Sequence, residues 1–169
     1  GDWALYTASP LRADFSKELG VQAPFGYWDP LGFAKYDNEA IAVAQFKRRR
    51  VVELQHGRVA MLACIGYIVP EYFRWPGYCS EYAQIKFTDI PNGFGALSTV
   101  PGAGWLQIIT FVGILEVTNL QQEPKEYAGD YGYGAYGIPY GKKMADKARK
   151  EAGLNAEIAN GRLAMMAIM

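Results

Sequence analysis

One short motif occurs twice in this chain of 169 residues, and it constrains the fold more than any other feature. Residues 53–64 read ELQHGRVAMLAC, and residues 157–168 read EIANGRLAMMAI. Each copy has a glutamate, then a side chain with a free lone pair three positions later, then Gly-Arg and a small, apolar run. Ionisable groups in such apolar surroundings are costly and usually functional. The repeat therefore predicts a pseudo-twofold pair of helices.

Helix geometry prevents the glutamate and the arginine of one copy from pairing with each other. Arg58 follows Glu53 by five positions, about 140° around a helix, and Arg162 follows Glu157 in the same way. An unpaired charge in an apolar environment is strongly unfavourable. We therefore expect reciprocal pairs between two crossing helices, Glu53 with Arg162 and Glu157 with Arg58.

Small residues in both copies favour the same arrangement. Gly57 with Ala60, and Gly161 with Ala164, provide surfaces on which two helix backbones can approach closely.

Each copy also presents two Lewis bases on one helix face. Glu53 and His56 are three residues apart, as are Glu157 and Asn160, so each pair shares a face. We expect each paired glutamate to keep one oxygen free, beside the lone pairs of the imidazole and the amide. Such donors suit a metal that needs one axial ligand, for example the Mg of a chlorophyll. A zinc site is disfavoured because there are one histidine and two cysteines, without zinc-ligand spacing.

At these residues, and over nearly its whole length, the chain resembles the chlorophyll-binding light-harvesting complex superfamily. The similar segments are FKRRRVVELQHGRVAMLACIGYIVPEYFRWPGY, KFTDIPNGFGALSTVPGAGWLQI and LNAEIANGRLAMMAI. They look like the red-lineage branch, which comprises fucoxanthin and peridinin chlorophyll a/c proteins. The segments PEYFRWPGY and PNGFGALSTVP look most like dinoflagellate members.

The resemblance implies an all-α membrane protein with three transmembrane helices, the first and third of them crossed. We expect a single domain over 1–169, with an N-terminal stromal loop at 1–38 and helices at about 38–69, 104–120 and 154–169. Pro70 should end the first helix, and Asn155 is a candidate cap of the third. The family continues the third helix further, so we expect it to be cut short at Met169.

The implied function is that of a light-harvesting antenna, not an enzyme. Such a protein binds chlorophyll a, chlorophyll c and carotenoids and passes excitation to photosystem I or II beside neighbouring antenna subunits and thylakoid lipids. Peridinin and diadinoxanthin are the expected carotenoids, with fucoxanthin as the alternative. A photoprotective, energy-dissipating relative of the same family is the alternative function.

Further site residues follow from the resemblance. It makes Gln107 and Glu116 of the middle helix chlorophyll ligands in addition to Glu53, His56, Glu157 and Asn160. These two residues are nine apart, about 180° on a helix, and so would serve different sites. The turn around YWDPLGF corresponds to a carotenoid-holding motif, formed here by Trp28, Asp29, Pro30, Leu31 and Gly32. The segment GDYGYGAYG at 129–137 is weakly similar to this motif and lacks the D-P-L-G core.

The distribution of basic residues predicts the orientation. Four bases at 47–50 and six in the 121–150 linker contrast with two in the 71–103 loop. The positive-inside tendency then places the N-terminus and the linker on one side, the stromal side of a thylakoid membrane. We also expect the basic run at 47–50 to project into the aqueous phase.

Other classes fit less well. Lysine plus arginine and aspartate plus glutamate both number 17, so no basic excess points to nucleic acid. A di-iron carboxylate bundle needs two Glu-x-x-His motifs and two further glutamates, whereas the second copy here carries asparagine. A membrane-interaction protein without pigment would leave the repeated motif unexplained.

Overall fold

The computed structural model describes residues 15–34, 38–118, 128–130 and 147–169. The chain divides into two compact units, which comprise 1–61 with 121–169, and 62–120. The described elements are mostly helical and occur in the order α1 (Glu39–Tyr72), β1 (Tyr78–Ser80), β2 (Ile85–Lys86), a 3-10 turn (Phe87–Asp89), α2 (Gly95–Thr99), α3 (Gly102–Thr118) and α4 (Lys147–Ala167).

In the first unit, α1 packs against α4 along stripes of small and apolar residues. The buried residues recur at helical spacing on both helices, as expected for two helices that share one core. They are Ala42, Val43, Arg50, Val51, Leu54, Gly57 and Ala60 on α1, and Ile158, Gly161 and Ala164 on α4. The two backbones approach so closely at Gly57 that a Cβ atom there would lie 3.0 Å from the Cα of Gly161. The paired glycines thus make the contact that the sequence predicts.

A small apolar cluster packs the N-terminal segment onto the start of α1. The ring of Phe15 stacks on Phe46, with ring centroids 4.3 Å apart, and Phe15 is buried with Ala42 and Val43. Burial of an aromatic ring contributes both apolar area and a favourable ring contact. This cluster positions the loop that reaches the α1–α4 pair.

The second unit contains a short antiparallel hairpin in which Tyr78 pairs with Lys86. Arg74 braces the segment that follows the hairpin. Its Nη1 donates to the Thr88 carbonyl at 2.7 Å, and its Nη2 donates to the Asn92 side-chain oxygen at 2.6 Å. One guanidinium thereby ties the end of α1 to the 88–92 segment, which leads into α2.

Helix α3 carries large apolar side chains on every side, with Gln107 and Glu116 between them. Large exposed side chains point in all directions from it, namely Leu106, Ile108, Ile109, Phe111, Val112, Ile114 and Val117. A helix with apolar residues on every side is typical of an apolar environment. Among the helices of the described residues, none combines enough length with enough apolar character to count as a candidate membrane span.

Several element bounds differ from the sequence-based expectation. Helix α1 continues through Pro70 to Tyr72, and the Phe73 amide still donates to the Val69 carbonyl at 2.9 Å. Because Pro70 lies in the last turn, the missing N–H removes one helical bond and does not end the helix. The Pro- and Gly-rich stretch 71–103, expected to be loop, contains the hairpin and α2, so the chain is not all-α.

The start of α4 is also earlier than expected. The helix includes Lys147 and the six residues that follow, which are mostly good helix formers. Asn155 therefore lies inside the helix and not at its cap. The described residues exclude the segments 1–14, 35–37, 119–127 and 131–146. Most of the 121–150 linker and of the 129–137 segment therefore lies outside them.

The glycine contact predicts a sharp difference between two Gly→Ala variants of α1. Gly57→Ala should destabilise the protein by about 1–3 kcal/mol, because the new methyl group would press on the Gly161 backbone. Gly66→Ala is the matched control, since a Cβ there meets nothing within 4 Å. That variant should be neutral or stabilising by up to about 1 kcal/mol through helix propensity. Thermal denaturation followed by circular dichroism measures both; equal midpoints would contradict the close packing.

Candidate functional site

Two reciprocal ion pairs join α1 to α4. Nε of Arg58 donates to Oε1 of Glu157 at 2.7 Å, and Nε of Arg162 donates to Oε1 of Glu53 at 2.6 Å. The side chains are 28–43% exposed, so the protein partly shields both pairs from water. Both pairs predicted from the repeat are thus present, and each copy of the motif neutralises the other.

Each arginine of the cross also binds a backbone carbonyl, which the sequence analysis missed. Nη1 of Arg162 donates to the Gly20 carbonyl at 2.8 Å, and Nη1 of Arg58 donates to the Gly129 carbonyl at 3.0 Å. Both glycines have left-handed backbones, with φ of 83° and 73°, a conformation that other residues rarely adopt. The amide of Gly20 in turn donates to Asn155 Oδ1 at 2.7 Å. Two loop segments are thereby held on the helix pair in similar ways.

A weak sequence signal accompanies these two glycines. The first ends the segment KELG at 17–20, and the second ends the segment KEYAG at 125–129. The similarity is too short to predict a contact, because Lys-Glu pairs and glycines are common.

The two glutamates differ in their surroundings, contrary to the expectation that each keeps one oxygen free. The second oxygen of Glu53, Oε2, accepts a bond from Arg50 Nη1 at 2.6 Å. Glu157 Oε2, by contrast, has no hydrogen-bond partner among the described residues. Arg50 is also 8% exposed, so this member of the basic run is buried and does not project into water.

The single histidine of the chain has a defined tautomer. Its Nδ1 lies 2.8 Å from the Val52 carbonyl oxygen. Because a carbonyl can only accept, Nδ1 of His56 must carry the hydrogen, which leaves the lone pair on Nε2. The side chain is exposed, so Nε2 is directed away from the helix backbone and is available to a metal.

The other predicted donors are exposed as well. The amide of Asn160 is exposed on α4 and makes no hydrogen bond within the described part of the chain. In the second unit, α3 carries Gln107 and Glu116, both exposed. The described residues contain no group of three or more His, Cys, Asp or Glu side chains that could share one ion. Donors that occur singly suit a metal that already has an equatorial ligand set and needs an axial one.

The D-P-L-G segment forms a tight turn. Both carboxylate oxygens of Asp29 accept backbone amides, those of Phe33 and Ala34, each at 2.9 Å. Gly32 provides the positive φ, 69°, that the turn requires. Trp28 and Leu31 are 72% and 75% exposed and form an apolar surface together with the exposed Pro30.

Arginine 49 anchors this turn on α1. Its Nη1 donates to the carbonyl of Phe33, and its guanidinium lies 5.7 Å from the centroid of the Phe33 ring. Nearby, burial raises the pKa of Tyr27, as does the Asp29 carboxylate, while Arg49 opposes the shift. The phenol therefore stays protonated at neutral pH. The turn thus presents an apolar face, and Arg49 holds the turn on α1.

Fold and site together define a mostly helical protein in which an ion-paired helix pair carries singly placed Lewis bases. The chain belongs to the family described as Chlorophyll A-B binding protein, whose profile matches residues 15–169. It is thus a chlorophyll-binding protein of a light-harvesting antenna family, which is not enzymatic.

Relatives from algae show the same membership. The chain is 41% identical to fucoxanthin-chlorophyll a-c binding protein B, chloroplastic, of Macrocystis pyrifera, over 95% of this chain and 72% of the relative. It is 40% identical to protein A of Phaeodactylum tricornutum and 41% identical to protein B of that alga. These two alignments cover 96% and 98% of this chain and 81% of each relative. All three names contain fucoxanthin. The carotenoid expected from the sequence was peridinin, with fucoxanthin as the alternative.

The ion pairs predict that Arg58→Leu is more damaging than His56→Ala. The first variant leaves Glu157 without its cationic partner, which should cost about 1–3 kcal/mol. The second removes an exposed ring whose hydrogen bond, among the described residues, is to the Val52 carbonyl of its own helix. The midpoints of thermal denaturation of the two purified variants measure the difference in stability.

A double variant provides the control for this prediction. Arg58→Leu combined with Glu157→Leu removes the pair without leaving a lone charge, so it should recover part of the loss. Equal midpoints for Arg58→Leu and His56→Ala would contradict the structural role of the ion pair.

Proposed function

We propose that this protein is a chloroplast antenna that binds chlorophyll a, chlorophyll c and fucoxanthin and passes excitation energy to a photosystem. The observation that carries the proposal is the ion-paired helix pair with its singly placed Lewis bases, in a chain of the chlorophyll-binding family. The pigments are those that the names of the relatives give. The protein makes and breaks no bond in this role.

Six residues are the proposed axial ligands of chlorophyll Mg. His56 offers Nε2, because its Nδ1–H is already donated to Val52. Glu157 offers Oε2, since Oε1 is engaged by the opposite helix. Glu53, Asn160, Gln107 and Glu116 complete the set. A bound chlorophyll would supply the light absorption, and one of these donors would hold its Mg.

The contribution of the protein is geometry. Excitation moves between pigments by dipole coupling, which depends on their distance and orientation. A ligand on a rigid helix fixes both better than one on a loop. The ion pairs and the glycine contact hold α1 and α4 in one register, so ligands on the two helices keep constant spacing.

The proposed carotenoid contact is the turn at 28–32. Its ring and aliphatic side chains are exposed, while its backbone is held by Asp29 and Arg49. The apolar part of a carotenoid would cover the exposed side chains of Trp28 and Leu31. Such burial is favourable by roughly 25 cal/mol per Å² of apolar area. Fucoxanthin is proposed from the names of the relatives; peridinin and diadinoxanthin are the other outcomes of the test.

The proposed location is the thylakoid membrane, with α1, α3 and α4 crossing it and the N-terminus on the stromal side. The large apolar side chains on every side of α3 support this location, as does the position of the basic residues. Proposed partners are the core of photosystem I or II, neighbouring antenna subunits and thylakoid lipids. Pigments packed against the helices would cover surface that lipid otherwise has to cover.

Chromatography of pigments from the complex purified from its native membrane tests the proposed function. We expect chlorophyll a, chlorophyll c and fucoxanthin in fixed ratio, and a fluorescence excitation spectrum in which carotenoid absorption contributes to chlorophyll emission. Peridinin in place of fucoxanthin would correct the carotenoid and keep the function. Carotenoid absorption that yields no chlorophyll emission would favour the energy-dissipating relative, and absence of pigment would refute the proposal.

A substitution tests the best-defined ligand. His56→Ala should lose one chlorophyll per chain, because the alanine side chain has no lone pair to replace that of Nε2. Val59→Ala is the matched control: it also truncates an exposed side chain of α1, but one without a lone pair. Pigment-to-protein ratios of the two reconstituted complexes measure the difference. Full chlorophyll content in His56→Ala would refute this ligand assignment.

A further inference from the structure

The two glutamates of the repeat have unequal charge environments. Glu53 lies between two guanidiniums, with Arg162 on Oε1 and Arg50 on Oε2, each at 2.6 Å. Glu157 has one such partner, Arg58, on Oε1. The difference arises three positions before each glutamate, where the first copy has Arg50 and the second has Leu154.

The side chain of Arg50 is built into the structure. It is 8% exposed although it is charged. Its guanidinium lies 5.3 Å from the centroid of the Phe46 ring, and a Cβ atom on Gly20 would lie 2.8 Å from its Nη1. A buried cation is costly unless it is paired, and the contact with Glu53 helps to stabilise Arg50 in this position.

We propose that Arg50 is a tuning residue: its bond to Oε2 weakens the electron donation of the Glu53 carboxylate to a bound pigment and so makes that pigment spectrally distinct from the pigment bound at Glu157. This inference rests on the proposed function, in which both glutamates are axial ligands. Arg50 touches the ligand and not the pigment, and it acts through Glu53.

The physical argument concerns the second oxygen of each glutamate. A carboxylate has about four lone-pair sites, so Glu53 can still bind Mg, but a charge-assisted bond withdraws electron density from it. Among the described residues, the Glu53 carboxylate contacts two guanidiniums and the Glu157 carboxylate contacts one. Because charges act strongly in weakly screened surroundings, the two sites should differ in axial ligand strength and in transition energy.

The repeat itself supplies reciprocal variants. Arg50→Leu gives the first copy the residue of the second, and Leu154→Arg gives the second copy the residue of the first. Arg50→Lys keeps the charge and serves as the rescue variant. Each complex is reconstituted with its full set of pigments, and low-temperature absorption difference spectra are recorded together with the chlorophyll content per chain.

The expected result is a pair of opposite shifts at unchanged chlorophyll content. Arg50→Leu should move one chlorophyll component, Leu154→Arg should move a different component in the opposite direction, and Arg50→Lys should stay near the wild-type spectrum. A merely structural role of Arg50 would alter stability or pigment content but would produce no such shifts. If the Arg50→Leu complex does not assemble, the absorption spectrum of the Leu154→Arg complex alone tests the inference. Unshifted spectra in every variant that assembles would overturn the inference.

A separate variant distinguishes failure of this inference from failure of the proposed function. On the Arg50→Leu background, Glu53→Leu with Arg162→Leu removes the remaining ion pair without leaving a charge. Loss of one chlorophyll from this variant, with no shift in Arg50→Leu, would retain Glu53 as a ligand and reject the tuning role. Unchanged chlorophyll content would reject Glu53 as a ligand, and the inference with it.

Discussion

The contact between α1 and α4 at Gly57 and Gly161 is the constraint on which the rest of the site depends. A Cβ atom on Gly57 would lie 3.0 Å from the Cα of Gly161, and on either side of this contact each arginine bonds the glutamate of the opposite helix. The ion pairs neutralise four charges between the two helices. Close packing and charge compensation therefore support each other.

The arginines extend this arrangement from the helices to the loops. Each uses Nε for the opposite glutamate and Nη1 for a glycine carbonyl, so the segments at Gly20 and Gly129 are fixed by the same side chains that join the helices. The proposed ligand His56 thus lies on a helix whose position is fixed by contacts with the opposite helix and with the segment at Gly129. That degree of fixation is what pigment-to-pigment distances in an antenna require.

The pseudo-twofold relation is local and not complete. The motif copies, the glycine contact and the carbonyl contacts obey it, whereas Arg50 has no counterpart on α4, where Leu154 occupies the matching position. The proposed ligands differ too, with His56 in one copy and Asn160 in the other. Under the proposed function, such differences would let a nearly symmetric helix pair hold pigments of unequal energy.

The sequence by itself determined the family, through the resemblance of long segments to known members. It also determined the helix pair and both reciprocal ion pairs, because helix geometry and the cost of unpaired charge leave few other solutions for the repeated motif. Only the tertiary structure decided the partner of Glu53 Oε2, the carbonyls that receive Arg58 and Arg162, and the continuation of α1 beyond Pro70. The two carbonyl contacts join residues far apart in the chain. Which groups meet, including the partner of Arg50, depends on how the backbone folds, and no local sequence pattern gives that information.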